Sequence, residues 1–371
     1  MHLRSFSLAL VFLSLVHTAC AQQGVTLRQA AAGKFHIGVA LNYDQINGVD
    51  AKGDRVVLAQ FDSITPENAL KWERIYPTPA GYDFTLADRY VDFGEKHHLY
   101  TIGHTLVWHS QVPDWVFQDA QGKPITREAL LKRMHDHIFT LVGRYKGRIQ
   151  EWDVVNEALN DDGTLRDSKW RQILGDDYIV QAFRWTHEAD PQAALGYNDF
   201  NLEMPKKRAA AIALVERIQA AGIKVSYVGL QGHQHLDWPS NAEEARTIED
   251  FGKAGLKVAI TELDVDVLPS AWEHTADVGM HSAADPRLNP YAKGLPQNIS
   301  QQLTTRYAEL FALYRDHSQT VERVTLWGLS DADSWLNDWP IEGRTSYPLL
   351  FDRHDEPKPA QKAVVEVLGR K

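Results

Sequence analysis

The sequence predicts one α/β domain folded as a single (β/α)₈ TIM barrel, with its active site at the C-terminal ends of the strands. Three observations support this prediction. Short β-rich runs alternate with longer helix-like stretches, eight such runs occur, and most of them begin apolar and end in polar or aromatic residues. Because the C-terminal ends of barrel strands share one face, these polar residues are expected to converge on one cleft.

The eight predicted strands are distributed over almost the whole chain. They are Phe35–Asn42, Phe61–Asn68, Tyr100–Trp108, Ile149–Glu157, Ala194–Asn201, Tyr227–His233, Lys257–Val265 and Arg323–Ser330. Helical periodicity marks Arg127–Tyr145, Lys206–Ala221 and Gln302–His317 between them. A doubly wound sheet is the competing fold. It usually has a glycine-rich turn after its first strand, where this chain has Leu-Asn-Tyr-Asp at residues 41–44.

The N-terminus predicts export. Residues 1–21 are interpreted as a signal peptide, and residues 22–371 as the barrel: Arg4 precedes an apolar run at 6–16 that is too short to span a membrane, and residues 19–21 read Ala-Cys-Ala. We therefore expect a secreted or periplasmic protein. The alternative is a lipoprotein anchored at Cys20, although His17 stands where a lipobox usually has an aliphatic residue. Cys20 is the sole cysteine, so cleavage after Ala21 would leave no disulfide.

Composition limits the class of partner. The formal net charge is −10, which argues against a nucleic-acid ligand because such proteins need a basic face. The apolar content of 44% and charged content of 24% are ordinary for a soluble globular domain. No linker or second domain is evident. Residues 266–300 contain several Pro and Gly and are expected to form a long loop on the active-site face.

Two strand ends combine an apolar run with a carboxylate. One strand ends in Asn156-Glu157, and another contains Glu262 and Asp264, which strand alternation places on the same side. Out of context, a surface Glu next to a turn is the simpler explanation for either. Two such Glu on the fourth and seventh strands of a barrel, however, suit glycoside hydrolysis, which needs one carboxylic acid and one carboxylate.

Six motifs at successive strand ends resemble those of glycoside hydrolase family 10, a family of xylanases. They are Thr65–Trp72, Gly103–His109, Asp153–Glu157, Gly229–His233, Thr261–Val265 and Trp327–Trp335. The resemblance covers about residues 25–370. It implies an endo-1,4-β-xylanase that cleaves xylan or xylo-oligosaccharides with retention of configuration, through a covalent glycosyl-enzyme intermediate. It also implies a monomer without a metal or cofactor, and without a membrane partner unless Cys20 is lipidated.

The same resemblance implies a role for each matching position. Glu157 matches the acid/base, whose pKa should be raised by a neighbouring carboxylate, and Glu262 matches the ionised nucleophile. Supporting roles are implied for Asn156, Gln231, His233 and Asp264. Sugar binding is implied for Glu67, Asn68, Lys71, His104, Trp108, Trp327 and Trp335. The resemblance also implies that the indole of either Trp327 or Trp335 crowds the C5 position of the sugar, which favours xylose over glucose. Gly232 departs from the pattern, since Ser is common there, as does the length of the 266–300 segment.

Three other functions fit the sequence less well. A cellulase on the same barrel would need room for a CH₂OH group at the cleaved sugar. A non-catalytic sugar-binding protein would be expected to lack one carboxylate, yet Glu157 and Glu262 are both present. A metal-dependent hydrolase could use His233 and His235, but no third His or Cys ligand is evident beside this pair.

Overall fold

The computed structural model describes residues 24–270 and 286–370, and it confirms the predicted parallel barrel. The predicted signal peptide and Cys20 lie outside these residues, as do residues 271–285 of the predicted loop. The described end of that loop packs onto a later segment, where the Tyr347 hydroxyl donates to the Tyr291 carbonyl at 2.7 Å. None of the helices in the described ranges is long and apolar enough to span a membrane.

The described residues contain nine strands, eight of which form the barrel. They are β1 (His36–Leu41), β2 (Ser63–Pro66), β3 (Tyr100–Val107), β4 (Glu151–Asn156), β5 (Ala194–Asp199), β6 (Tyr227–Leu230), β7 (His233–His235), β8 (Lys257–Asp266) and β9 (Val321–Leu326). Neighbours pair in parallel in the order β1 to β6, then β8 and β9, and β9 returns to β1. The short β7 also pairs with β8.

One strand prediction is wrong at its end. The run Tyr227–His233 was expected to be continuous, but β6 ends at Leu230 and His233 begins β7. Gly232 lies between them with φ +78°, in the left-handed region that favours glycine. A strand cannot continue through that conformation, so Gln231 and His233 do not share one regular strand face.

Twelve α-helices in the described ranges connect the strands. They are α1 (Leu27–Ala31), α2 (Tyr43–Ile46), α3 (Ala51–Gln60), α4 (Trp72–Ile75), α5 (Thr85–Lys96), α6 (Arg127–Arg144), α7 (Lys169–Leu174), α8 (Tyr178–Ala189), α9 (Pro205–Ala220), α10 (Asn241–Lys253), α11 (Gln297–Asp316) and α12 (Pro359–Gly369). The longer helices follow the predicted periodicity. In α6, Leu130, Met134 and Ile138 are fully buried, and the Thr126 hydroxyl caps the first turn.

The interior of the barrel is polar below the strand ends. Arg323 on β9 pairs with Glu151 on β4 at 3.0 Å, and both side chains are buried. One layer higher, the Tyr227 hydroxyl donates to Asp153 at 2.7 Å. The register of β4 against β5 shifts just after Asp153, and such irregularities re-aim side chains next to active sites. The buried polar residues thus form a fixed floor for the residues above them.

Candidate active site

A cleft of about 360 Å³ lies at the C-terminal ends of the barrel strands. Its lining comprises Glu67, Asn68, Lys71, His104, Trp108, Ser110, Gln111, Asn156, Glu157, Gln231, His233, Glu262, Trp327, Trp335 and Trp339. The structure therefore brings together all the predicted site residues except Asp264, which is 1% exposed and lies behind His233. The volume is within the range of small-ligand sites.

Glu157 lies directly after β4 and is held from both sides. Its Oε2 accepts from the Trp108 indole at 2.8 Å, and its Oε1 accepts from the Gln231 amide at 2.9 Å. Its φ is +56°, an uncommon conformation for a residue with a side chain, and its backbone N–H bonds the Asn198 carbonyl at 2.9 Å. The backbone turn thus directs this carboxyl into the cleft.

The pKa of Glu157 is raised, mainly because the carboxyl is buried. The hydrogen bonds from Gln231 and Trp108 oppose this rise, and the nearby charge of Glu262 adds to it. Burial, and not the second carboxylate expected from the sequence, is therefore the larger cause of the rise in this pKa. A raised pKa favours the protonated form, which a general acid must have.

The pKa of Glu262 on β8 is shifted in the opposite direction. Burial acts to raise its pKa, but the hydrogen bond from His233 and the electrostatic influence of His104 and Lys71 outweigh burial and lower it. Its Oε2 lies 3.2 Å from His233 Nε2, and its Oε1 accepts from the Asn198 amide at 2.8 Å. This carboxylate is therefore stabilised in its ionised form.

His233 is the cationic partner of Glu262. Burial disfavours the charged imidazole, but Asp264 and Glu262 raise the pKa of His233 to about 10. Asp264 Oδ1 lies 3.1 Å from His233 Nδ1, and Asp264 Oδ2 accepts from the Trp335 indole at 2.7 Å. Trp335 also packs against His233, with ring centroids 4.9 Å apart. These contacts fix the imidazole with Nε2 toward Glu262.

A second wall of the cleft is built at the ends of β2 and β3. Lys71 Nζ donates to Asn68 Oδ1 at 3.0 Å and lies 5.0 Å from the centroid of the Trp108 ring. Burial lowers the pKa of Lys71 and raises that of the nearby Glu67. His104 lies 2.9 Å from Asp153 and meets the Trp327 ring edge-on. Amides, a carboxyl, an amine and flat rings together suit the hydroxyls and C–H faces of a sugar.

Four residues at the cleft had no predicted role: Asn198, Ser110, Gln111 and Trp339. Asn198 at the end of β5 donates to both Asn156 Oδ1, at 2.9 Å, and Glu262. It therefore links the end of β4 to β8. Ser110, Gln111 and Trp339 add to the lining of the cleft. A polar residue at a strand end was a usable signal for Asn198, whereas Gln111 and Trp339 lie in connecting segments where sequence alone gives no direction. Among the described residues, no group of three or more His, Cys, Asp or Glu could hold a metal ion.

Comparisons with known proteins agree with this geometry. The family description "Glycosyl hydrolase family 10" matches residues 26–367. Endo-1,4-beta-xylanase A of Xylanibacter ruminicola is 40% identical, with 98% of this chain and 99% of that protein covered. The endo-1,4-beta-xylanase of Geobacillus stearothermophilus is 38% identical, with coverages of 92% and 98%. The solved structure of a family 10 endoxylanase from a sugarcane soil metagenome superimposes with a TM-score of 0.89 at 45% identity, covering 92% of this chain and 99% of that one.

Proposed function

The chain belongs to glycosyl hydrolase family 10, and on that basis we propose that it is a retaining endo-1,4-β-xylanase. Its named relatives are endo-1,4-β-xylanases, which supports the substrate. One observation supports the mechanism above the others: two buried carboxyls line the same cleft, and their pKa values are shifted in opposite directions. One acid and one base in one cleft are the groups that glycoside hydrolysis requires.

In the first step, Glu157 protonates the glycosidic oxygen while a carboxylate oxygen of Glu262 attacks the anomeric carbon. The C–O bond to the leaving sugar breaks, its electron pair goes to the protonated oxygen, and a covalent ester to Glu262 forms with inverted configuration. His233 keeps Glu262 ionised before the attack. Asn156 is placed next to Glu157 to bond the 2-OH of the cleaved sugar, a contact that strengthens in the transition state.

In the second step, Glu157 acts as a base instead of an acid. Glu157, now ionised, takes a proton from a water molecule, and the resulting hydroxide attacks the anomeric carbon and releases Glu262. The second inversion restores the β configuration. This path requires the two carboxyl groups to lie about 5–5.5 Å apart, whereas an inverting enzyme needs roughly 6.5–9.5 Å. We propose the shorter separation for Glu157 and Glu262.

Sugar binding is proposed for the two walls of the cleft. Glu67, Asn68 and Lys71 offer acceptors and donors to the hydroxyls of the glycone sugars. Trp327, which is 7% exposed, and Trp335 line the opposite part and restrict the space around C5. A xylose unit has only hydrogen atoms at C5, whereas glucose has a CH₂OH group there, so a crowded wall selects xylose.

The test compares aryl β-xylobioside with aryl β-cellobioside for the wild type, Glu262→Ala and a matched surface variant, Glu366→Ala. Glu366 is exposed on α12 and is far from the strand ends in sequence. This variant therefore controls for the effects of mutagenesis, expression and purification. We expect cleavage of the xylobioside by the wild type and Glu366→Ala, and almost none by Glu262→Ala. Equal or better cleavage of the cellobioside would replace the xylanase assignment with a cellulase. If the folded wild type cleaves neither substrate, the protein would instead be a non-catalytic sugar-binding protein.

We also propose that residues 1–21 export the protein and are removed after Ala21. The proposal rests on the sequence features of that segment, which precedes the described residues. Intact mass analysis of the exported protein tests it, with Cys20→Ser as the matched variant. A mature chain beginning at Gln22 in both would support secretion. A lipid-modified Cys20 in the wild type and blocked processing in Cys20→Ser would establish an anchored lipoprotein instead.

A further inference from the structure

The chain leaves β4 through a turn in which three successive backbone N–H groups bond β5. The N–H group of Glu157 continues the pairing of the two strands. The next two N–H groups bond side chains instead of carbonyls. Ala158 donates to the Tyr197 hydroxyl oxygen at 3.2 Å, and Leu159 donates to Asp199 Oδ2 at 3.3 Å. Because buried backbone donors need partners, these side chains fix the course of the chain immediately after Glu157.

The carboxyl group of Asp199 is fully buried and accepts hydrogen bonds at both of its oxygens. Its Oδ1 accepts from the Phe200 N–H at 2.9 Å and from the Lys207 ammonium group at 3.0 Å. Its Oδ2 accepts from the Tyr197 hydroxyl as well as from Leu159. Two carboxylate oxygens offer about four lone-pair sites, so these donors use the whole capacity of the group. An amide at this position would turn its NH₂ group toward some of the same donors.

Lys207 on α9 joins Asp199 to the segment that follows Glu157. Residues 158–166 fold back as a short hairpin, and Asp161 lies near its tip. The fully buried Lys207 ammonium group contacts Asp161 Oδ1 at 3.1 Å in addition to Asp199. A buried ion pair adds little net stability compared with apolar residues of the same volume. Its presence between β5, α9 and the hairpin is therefore better explained by the backbone that it holds in place.

We propose that Tyr197, Asp199 and Lys207, named here the turn anchor, are positioning residues for Glu157. The inference rests on the proposed function, which makes Glu157 the acid/base. Glu157 has φ +56°, a conformation that costs free energy for a residue with a side chain and persists only where its surroundings impose it. Strand alternation places the turn anchor residues of β5 on the face opposite Asn198, and none of the three anchor residues lines the cleft. Their hydrogen bonds therefore reach the Glu157 carboxyl through the backbone.

Loss of the turn anchor should impair proton transfer more than sugar binding or nucleophilic attack. A released turn would let Glu157 take other conformations, so its carboxyl would spend less time within reach of the glycosidic oxygen. A substrate with a poor leaving group needs that proton, whereas a dinitrophenolate leaves without one. Misplacement of Glu157 therefore lowers kcat/KM for the first substrate and spares the second. A smaller fraction of folded enzyme lowers kcat/KM for both substrates equally.

The experiment measures kcat/KM for phenyl and dinitrophenyl β-xylobiosides, because this parameter reports the step that releases the phenol. The value for the phenyl substrate divided by that for the dinitrophenyl substrate is the leaving-group ratio. The variants are Tyr197→Phe, Asp199→Asn and a matched control, Tyr90→Phe, which deletes an equally buried hydroxyl that bonds carbonyls of β2 and β3. We expect the leaving-group ratio to fall about fivefold in Tyr197→Phe, the size of one hydrogen bond, and further in Asp199→Asn. Tyr90→Phe should keep the wild-type ratio.

The outcomes separate this inference from the proposed function. If Tyr197→Phe and Asp199→Asn keep the wild-type leaving-group ratio, the inference is wrong, whatever stability the variants lose. If Asp199→Asn does not fold, Tyr197→Phe decides alone, since it removes one hydroxyl and leaves the ion pair with Lys207. An equal fall in Tyr90→Phe would also overturn the inference, because any buried hydroxyl would then have the same effect. Glu157→Gln is the reference for loss of the acid, and a wild-type ratio in that variant would overturn the proposed function instead.

Discussion

Asp264 is expected to set the acid limb of the pH–rate profile through His233. The buried Asp264 faces His233 Nδ1 at 3.1 Å and accepts from Trp335 at 2.7 Å. With the pKa of His233 raised to about 10, the imidazole is a cation at neutral and acidic pH, and it bonds Glu262 at 3.2 Å. The ionised state of Glu262 therefore depends on the charge of Asp264, which acts through His233.

The perturbation is Asp264→Asn, which keeps the shape and removes the charge. The amide can still meet both His233 and Trp335, but only with a neutral imidazole, because a cation would place two donors face to face. Glu262 then exchanges a charge-assisted hydrogen bond for a neutral one, which costs about 1–1.5 kcal/mol, or about one unit in its pKa. Because Glu262 must be ionised to attack, its higher pKa moves the acid limb upward by about one pH unit.

The assay is kcat/KM for an aryl β-xylobioside against pH, since this ratio reports the ionisations of the free enzyme. Trp335→Phe is the comparison variant: it removes the indole donor but leaves the Asp264 carboxylate, so its acid limb should move less. An acid limb at the wild-type pH in Asp264→Asn, with only a uniform loss of rate, would refute the reasoning. Asp264 would then position His233 without controlling its charge.

Three further changes test other parts of the structure. Glu157→Gln should slow xylan hydrolysis by roughly 10²–10⁴-fold yet largely spare the first-turnover burst of a dinitrophenyl leaving group, which needs no proton, while later turnovers slow because the base is lost. Gly103→Ala should lower the free energy of unfolding by about 1–3 kcal/mol in denaturant titrations, because its Cβ would overlap the Trp152 ring. Burial raises the pKa of both Glu244 and Glu203 in the folded protein, so the stability that their protonated forms contribute is present at acidic pH and is lost as pH rises. Because Gln stays neutral, Glu244→Gln should raise Tm at pH 8 but not at pH 4.

Matched controls make these outcomes decisive. Gly143→Ala adds a Cβ in α6 that meets no atom within 4 Å beyond its chain neighbours and the backbone of its own helix, and it should be neutral or stabilising by about 0.5–1 kcal/mol. Glu366→Gln removes an exposed carboxyl and should leave Tm nearly unchanged at both pH values. An equal loss in the first-turnover rate for both aryl and natural substrates would contradict the acid role of Glu157. A Glu244→Gln variant that loses the same stability at pH 4 and pH 8 would contradict the linkage argument.

The barrel itself was predictable because buried parallel strands and amphipathic helices have distinct patterns. Ala194–Asn201 was predicted where β5 spans Ala194–Asp199, and the helix predicted at Arg127–Tyr145 ends one residue earlier. The prediction failed at Gly232, because a sequence does not show whether a glycine serves a left-handed turn or only small size. The start of α11 at Gln297 was also missed, since no capping side chain marks it.

The site was predictable only as far as strand ends and family motifs extend. Glu157 directly follows β4 and Glu262 lies in the C-terminal half of β8, so the barrel alone brings them to one face. The bond from Asn198 to Glu262 depends on how β4, β5 and β8 are juxtaposed, which no local pattern encodes.

The central claim is that Glu157 and Glu262 hydrolyse xylan with retention, and NMR of the anomeric proton during early xylo-oligosaccharide hydrolysis tests it most directly. The wild type and Glu262→Ala would be followed before mutarotation mixes the products. We expect a first-formed β product from the wild type and almost no hydrolysis by the variant. A first-formed α product would mean inversion, and both carboxylates would then have to be assigned other roles.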